Sequence, residues 1–69
     1  GCFRGQFHHG RYLVAAGRVG DGIPWFRASL AHAPCDFRRE ALAMLRADAH
    51  PELRELASEA EAGERGSAT

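Results

Sequence analysis

The stretch "GRYLVAAGRVGDGIPWFRASLAHAP", Gly10 to Pro34, decides the fold of this 69-residue chain. Its two apolar segments lie on either side of a glycine-rich joint, and a proline closes the second. In the first, roughly Phe3 to Ala16, the residues Phe3, Phe7, Gly10 and Val14 recur at helical spacing and share one side. Gly17 and Gly20 end that helix. Asp21 is read as the N-cap of a second, and Pro24 falls in its first turn, where the missing amide has no intrahelical acceptor to serve. The second helix runs to about Ala33, with Ile23, Phe26, Leu30 and Ala33 on one side and Trp25, Ser29 and His32 on another. Pro34 stops it.

Working outward, Asp36 is read as the cap of a third helix, about Phe37 to Ala47, with the apolar stripe Phe37, Ala41, Met44 and Leu45. His50-Pro51 breaks the pattern. A fourth helix begins at Pro51 with Glu52 and Glu55 in its first turns, where acids suit the dipole, and Leu53, Leu56, Ala57 and Ala60 form one narrow apolar edge. No segment alternates with period two. The fold class is therefore all-α, an antiparallel hairpin over residues 1–34 followed by a capping helix pair over 35–62, with residues 63–69 expected as a flexible tail.

A chain of this length buries only about 60% of the surface its unfolded form exposes. It needs support from a partner, a crosslink or a metal. Because the chain opens on Gly1 rather than Met, it is expected to be a processed product, a tag remnant or an excised piece. No apolar run approaches the roughly 20 residues of a membrane helix, and the expected setting is cytoplasmic, away from membranes. The formal net charge is zero, but through Pro34 four Arg face one Asp, whereas from Cys35 onward five Arg face eight acids. That polarity suits intramolecular pairing or an acidic partner and is too weak for a nucleic-acid footprint.

Folding the hairpin about a joint near residues 18 and 19 makes facing positions sum to about 37. Val14 then lies opposite Ile23, Phe7 opposite Leu30, and Gly10 beside Phe26 and Arg27. A glycine inside a helix costs about 1 kcal/mol relative to Ala, so Gly10 implies a packing requirement. The same sum brings Cys2 opposite Cys35, leaving two readings open. A disulfide would close a loop of 34 residues and contribute about 4 kcal/mol on the chain-entropy estimate; the other reading is two unrelated thiols in a reducing compartment.

The residues of the hairpin resemble a tetratricopeptide repeat, a 34-residue helix-turn-helix with small residues at the helix crossing and a closing proline. Gly10 stands at the small site of the first helix, Gly17 at the joint, Gly22 and Ser29 at the close-packed sites, Phe26 at the aromatic site and Pro34 at the end. Gln6 and His9 stand where the family places tryptophan and leucine. The resemblance implies a noncatalytic interaction or assembly module whose first helix lines a groove, here through Arg4, Phe7, Arg11, Val14 and Ala15. Arg4, Arg11 and Arg18 are seven apart and form a stripe fit for an acidic or C-terminal carboxylate peptide. The alternative is that Arg4 and Arg11 pair with Glu52, Glu55 and Glu59 of the same chain, or face water. Self-association is a second version, with Phe3, Phe7 and Trp25 as surfaces a lone repeat leaves uncovered.

Two other readings stand beside it. Proline-closed hairpins also resemble helical appendages of larger bacterial enzymes, including the C-terminal regions of some family-2-like glycosyltransferases. A small zinc site is the other, with Cys2, His9, His32 and Cys35 as ligands, although the expectation is that no metal or other cofactor is bound. No Ser, His and acid constellation occurs, and "GRVGDG" lacks the Lys-Ser/Thr of a phosphate loop, so no catalytic residue is expected.

Overall fold

The computed structural model describes residues 2–67. Four helices follow one another, α1 (Phe3–Ala15), α2 (Val19–His32), α3 (Cys35–Arg46) and α4 (Pro51–Ser67), with no strand among the described residues. α1 packs on α2, α3 on α4, and α4 also on α2, giving two hairpins laid side by side. α4 continues through Ser67, into the segment expected as a tail. Positions 68 and 69 of that expectation lie outside the described residues.

The first turn is tighter than expected, and the reason is Gly17. Its φ of +81° is the left-handed conformation that a glycine adopts without steric cost. The Gly17 amide donates to Val14 O at 3.0 Å and the Arg18 amide to Leu13 O at 2.8 Å, the paired bonds of a Schellman ending. The chain reverses at once, and α2 starts at Val19. Asp21 is consequently not the N-cap: it lies in the first turn, where it accepts from Arg18 Nε at 2.8 Å. Pro24 falls inside the helix rather than in its first turn. Asp36 is likewise in the first turn of α3, and Pro34 is the capping residue.

Moving the joint to Gly17 slips the facing register toward the turn. Gly10 does lie against Phe26: a β-carbon built on Gly10 would sit 2.9 Å from Phe26 Cε1. Val14, however, meets Gly22, its Cγ2 lying 3.4 Å from where a Gly22 β-carbon would be. That same β-carbon would be 2.8 Å from Gly10 O. The two helix backbones therefore touch at Gly10 and Gly22, and neither position has room for a side chain. Ser29, fully buried, adds a tie at the open end by donating from Oγ to Phe3 O at 2.7 Å.

The core gathers Phe7, Phe26, Leu30, Ala41, Leu42, Leu45, Leu53, Leu56 and Ala57 from all four helices. Each fully buried large side chain contributes about 1.5–3 kcal/mol. The narrow apolar edge of α4 is the edge that is buried: Leu53, Leu56 and Ala57 are in the core and Ala60 packs against it. Arg38 closes the assembly from a position the apolar pattern does not flag. Leu30 O would accept from residue 34 in a continuing helix, but Pro34 has no N–H. Arg38 Nη1 supplies the missing donor at 2.9 Å, while its Nη2 donates to Ala60 O at 3.3 Å.

Candidate functional site

A groove runs between α1 and α3. It comprises two cavities of about 360 and 210 Å³, which share Phe7, Arg11 and Met44 and so form one continuous surface. All five residues that the sequence assigned to a groove line it: Phe7, Arg11, Val14 and Ala15 the larger part, Arg4, Phe7 and Arg11 the smaller. α1 places them there because residues three and four apart share a helix side. α3 supplies the facing wall with Phe37, Glu40, Ala41 and Met44.

The floor is aromatic. Phe7 meets Phe26 edge-on with centroids 5.1 Å apart and Phe37 at 5.7 Å, and Phe3 meets Phe37 at 4.8 Å. Such pairs contribute about 0.5–1.5 kcal/mol beyond the area they bury. They also correct an expectation, since Phe7 is buried and Phe3 half-buried, covered by the second hairpin through Phe37. Of the three surfaces expected to need a partner, Trp25 alone remains exposed.

Charge is asymmetric along the groove. The Arg4 guanidinium carbon lies 5.7 Å from the Phe3 ring centre and 5.8 Å from that of Phe37, a position that braces it at the rim. Arg11 is exposed and forms no ion pair among the described residues. Of the two arms of the intramolecular alternative, pairing with α4 is absent among the described residues, and Arg4 and Arg11 are exposed. Glu59 reaches Arg27 at 3.0 Å, because α4 packs on α2 and α3. Arg18 leaves the stripe altogether: it sits beyond the end of α1 and pairs with Asp21.

The far end of the groove carries Asp48, in the link between α3 and α4. Its Oδ1 accepts from the His50 amide at 2.9 Å and lies 2.7 Å from His50 Nδ1. These two bonds, the backbone one first, hold its carboxyl below the ordinary carboxylate range. Arg54 Nη1 donates to Asp48 O at 2.9 Å and fixes the link from the other side. Neither Asp48 nor the groove-wall role of Met44 was legible from spacing. Met44 reads as one more member of an apolar stripe, yet it is 44% exposed and turned into the groove.

The cysteines sit at the starts of two neighbouring helices, Cys2 just before α1 and Cys35 as the first residue of α3. Both are exposed and both are free thiols in this structure. Backbone N–H groups of Gly5 and then Arg4, in the first turn of α1, hold the Cys2 thiol below its usual value. The four-ligand zinc alternative is not assembled: no group of three or more His, Cys, Asp or Glu is placed to hold a metal among the described residues. His9 turns instead to Trp25, with ring centroids 4.3 Å apart. No helix among the described residues is long and apolar enough to cross a membrane. No protein-family model, curated protein or solved structure matches the chain.

Proposed function

We propose that this chain is a noncatalytic, tetratricopeptide-like interaction module whose α1/α3 groove takes an extended acidic peptide ending in a carboxylate. The observation that carries the reading is Arg11, an exposed guanidinium that forms no ion pair among the described residues, set between the two parts of a groove floored by Phe7, Val14, Met44 and Leu45, with Glu40 lining one part and Asp48 the other. A guanidinium offers a planar pair of donors matched to a carboxylate, and its hydrogen bonds to charged groups are each worth about 1.5–3 kcal/mol. Phe7 and Met44 flank it and accept the apolar side chains of the peptide. Met44, flexible and polarisable, adapts to more than one of them. Asp48, at the other end, favours a basic or amino-terminal group there and so orients the peptide.

The test uses a fluorescein-labelled acidic hexapeptide with a free C-terminus and its C-terminally amidated twin, followed by polarisation. The free acid binds, amidation weakens binding by about tenfold or more, and Arg11→Glu abolishes it, in line with the loss of one charge-assisted bond. Equal affinity for the two peptides, or binding untouched by Arg11→Glu, refutes the groove assignment.

A further inference from the structure

We propose that copies of this chain stack head to tail, the aromatic edge of one copy's first hairpin seated on the arginine edge of the next copy's second hairpin. The proposal concerns the two ends of the molecule and does not depend on the groove. On α1, Phe7 and Arg11 face α3; His9 lies two residues from each, about 200° round the helix, and so faces away. On α2, Ile23 and Arg27 face α4, and Trp25 lies two residues from each. His9 and Trp25 meet at 4.3 Å and close that end of the molecule, with Tyr12 beside them at 6.3 Å from His9. Tyr12 is 69% exposed and Trp25 41%, and together with Met44 of the groove they are the large apolar side chains left open.

The opposite end has the matching chemistry. Met44 faces α1 and Glu59 faces α2, so Arg46 and Glu61, two residues further on each helix, point away and meet each other at 3.1 Å. Arg39 lies seven residues before Arg46 and Arg54 seven before Glu61, on the same outer stripes. That edge therefore presents the Arg39 guanidinium, and beside it Arg46, paired to Glu61 but 55% exposed, and Arg54, bonded to Asp48 O. Guanidinium over an indole or phenol face is attractive through the ring quadrupole. Both halves of such a contact are on one chain at opposite ends, which selects a second copy as the occupant. A two-fold dimer would oppose arginine to arginine or leave that edge unused, whereas head-to-tail contact satisfies both edges and does not close.

Sedimentation equilibrium of the full chain between about 10 µM and 1 mM tests this. The weight-average mass rises with concentration past twice the 7.5 kDa protomer without a plateau at the dimer. Tyr12→Ala removes apolar area from one edge and R39E/R46Q blocks the other, each at exposed positions, with helical content checked by circular dichroism. Each variant alone weakens association at least tenfold, a hot-spot effect, yet an equimolar mixture forms a one-to-one dimer through the remaining intact pair of edges. Tyr12→Lys repeats the Tyr12→Ala result by setting a cation against the guanidinium edge instead of removing apolar area, and Trp25→Ala repeats it by removing the second ring. A monomer across the whole range, a plateau at the dimer, or a mixture that does not dimerise overturns the proposal.

Discussion

The two hairpins solve the same packing problem in opposite ways. α1 and α2 approach until backbone touches backbone at Gly10 and Gly22, with Phe26 laid over the gap. α3 and α4 are held apart by Leu42, Leu45, Leu53 and Leu56, and their turn is held by the side chains of Asp48, His50 and Arg54 instead of a left-handed glycine. Close approach fixes one geometry because nothing at the crossing can change rotamer. Leucine packing distributes the same burial over side chains that adjust when one of them changes.

The sharpest way to break this contrast is Gly22→Ala, since the new β-carbon would meet Gly10 O, a backbone atom that cannot swing aside. Denaturant unfolding shows a loss of about 3 kcal/mol. Gly20→Ala in the same helix, with nothing within 4 Å of its β-carbon, is neutral or stabilising by up to about 1 kcal/mol. A comparable response at the two positions would show that the helices do not cross there.

Arg38 joins the two hairpins, and its removal is the next largest effect. Arg38→Met costs about 2 kcal/mol by leaving Leu30 O without its donor. Gln6→Leu works in the other direction. Gln6 Oε1 is buried with no hydrogen-bond partner, and replacing it with an apolar group raises stability by about 1 kcal/mol.

Gly17→Ala isolates the turn from the crossing. Nothing lies within 4 Å of its β-carbon, so the whole cost is the positive φ, about 1 kcal/mol, which lowers the melting temperature without altering the groove. The corresponding probe of the second turn is acid titration. Asp48 has a depressed folded pKa, so its stabilisation is present above its unfolded value of 3.8 and is lost as pH falls through the lower folded value. Asp48→Asn removes that part of the acid-induced loss, measurable as a flatter stability curve at the acidic end.

Local chemistry made much of this legible. The helical spacing of Phe3, Phe7, Gly10 and Val14, the interruptions at Gly17 and Pro34, and the start of α4 at Pro51 depend on neighbours within a few residues, and the four helices follow them. The positions on α1 that the tetratricopeptide resemblance implied line the cavities between α1 and α3 because they share one side of the helix. The exact turn was not legible: Asp21 and Asp36 have the composition of caps, but Arg18 and Pro34 take the N-cap positions. A signal for Arg38 does exist in the sequence, in the proline four residues after Leu30 and the arginine four residues after that. It acquires meaning only when the orphaned carbonyl is considered.

The sequence by itself determined that four helices form and roughly where they are interrupted, that a glycine must face an aromatic across the first hairpin, and which side of α1 carries arginine. Only the tertiary structure decided which arginines remain available. Arg18, Arg27 and Arg46 pair with acids and Arg11 does not, because pairing depends on which helices become neighbours. Likewise Phe7 is covered and Trp25 left open. Helix formation is decided by bonds four residues apart, whereas partner choice is decided by contacts between distant residues that exist only once the helices have docked.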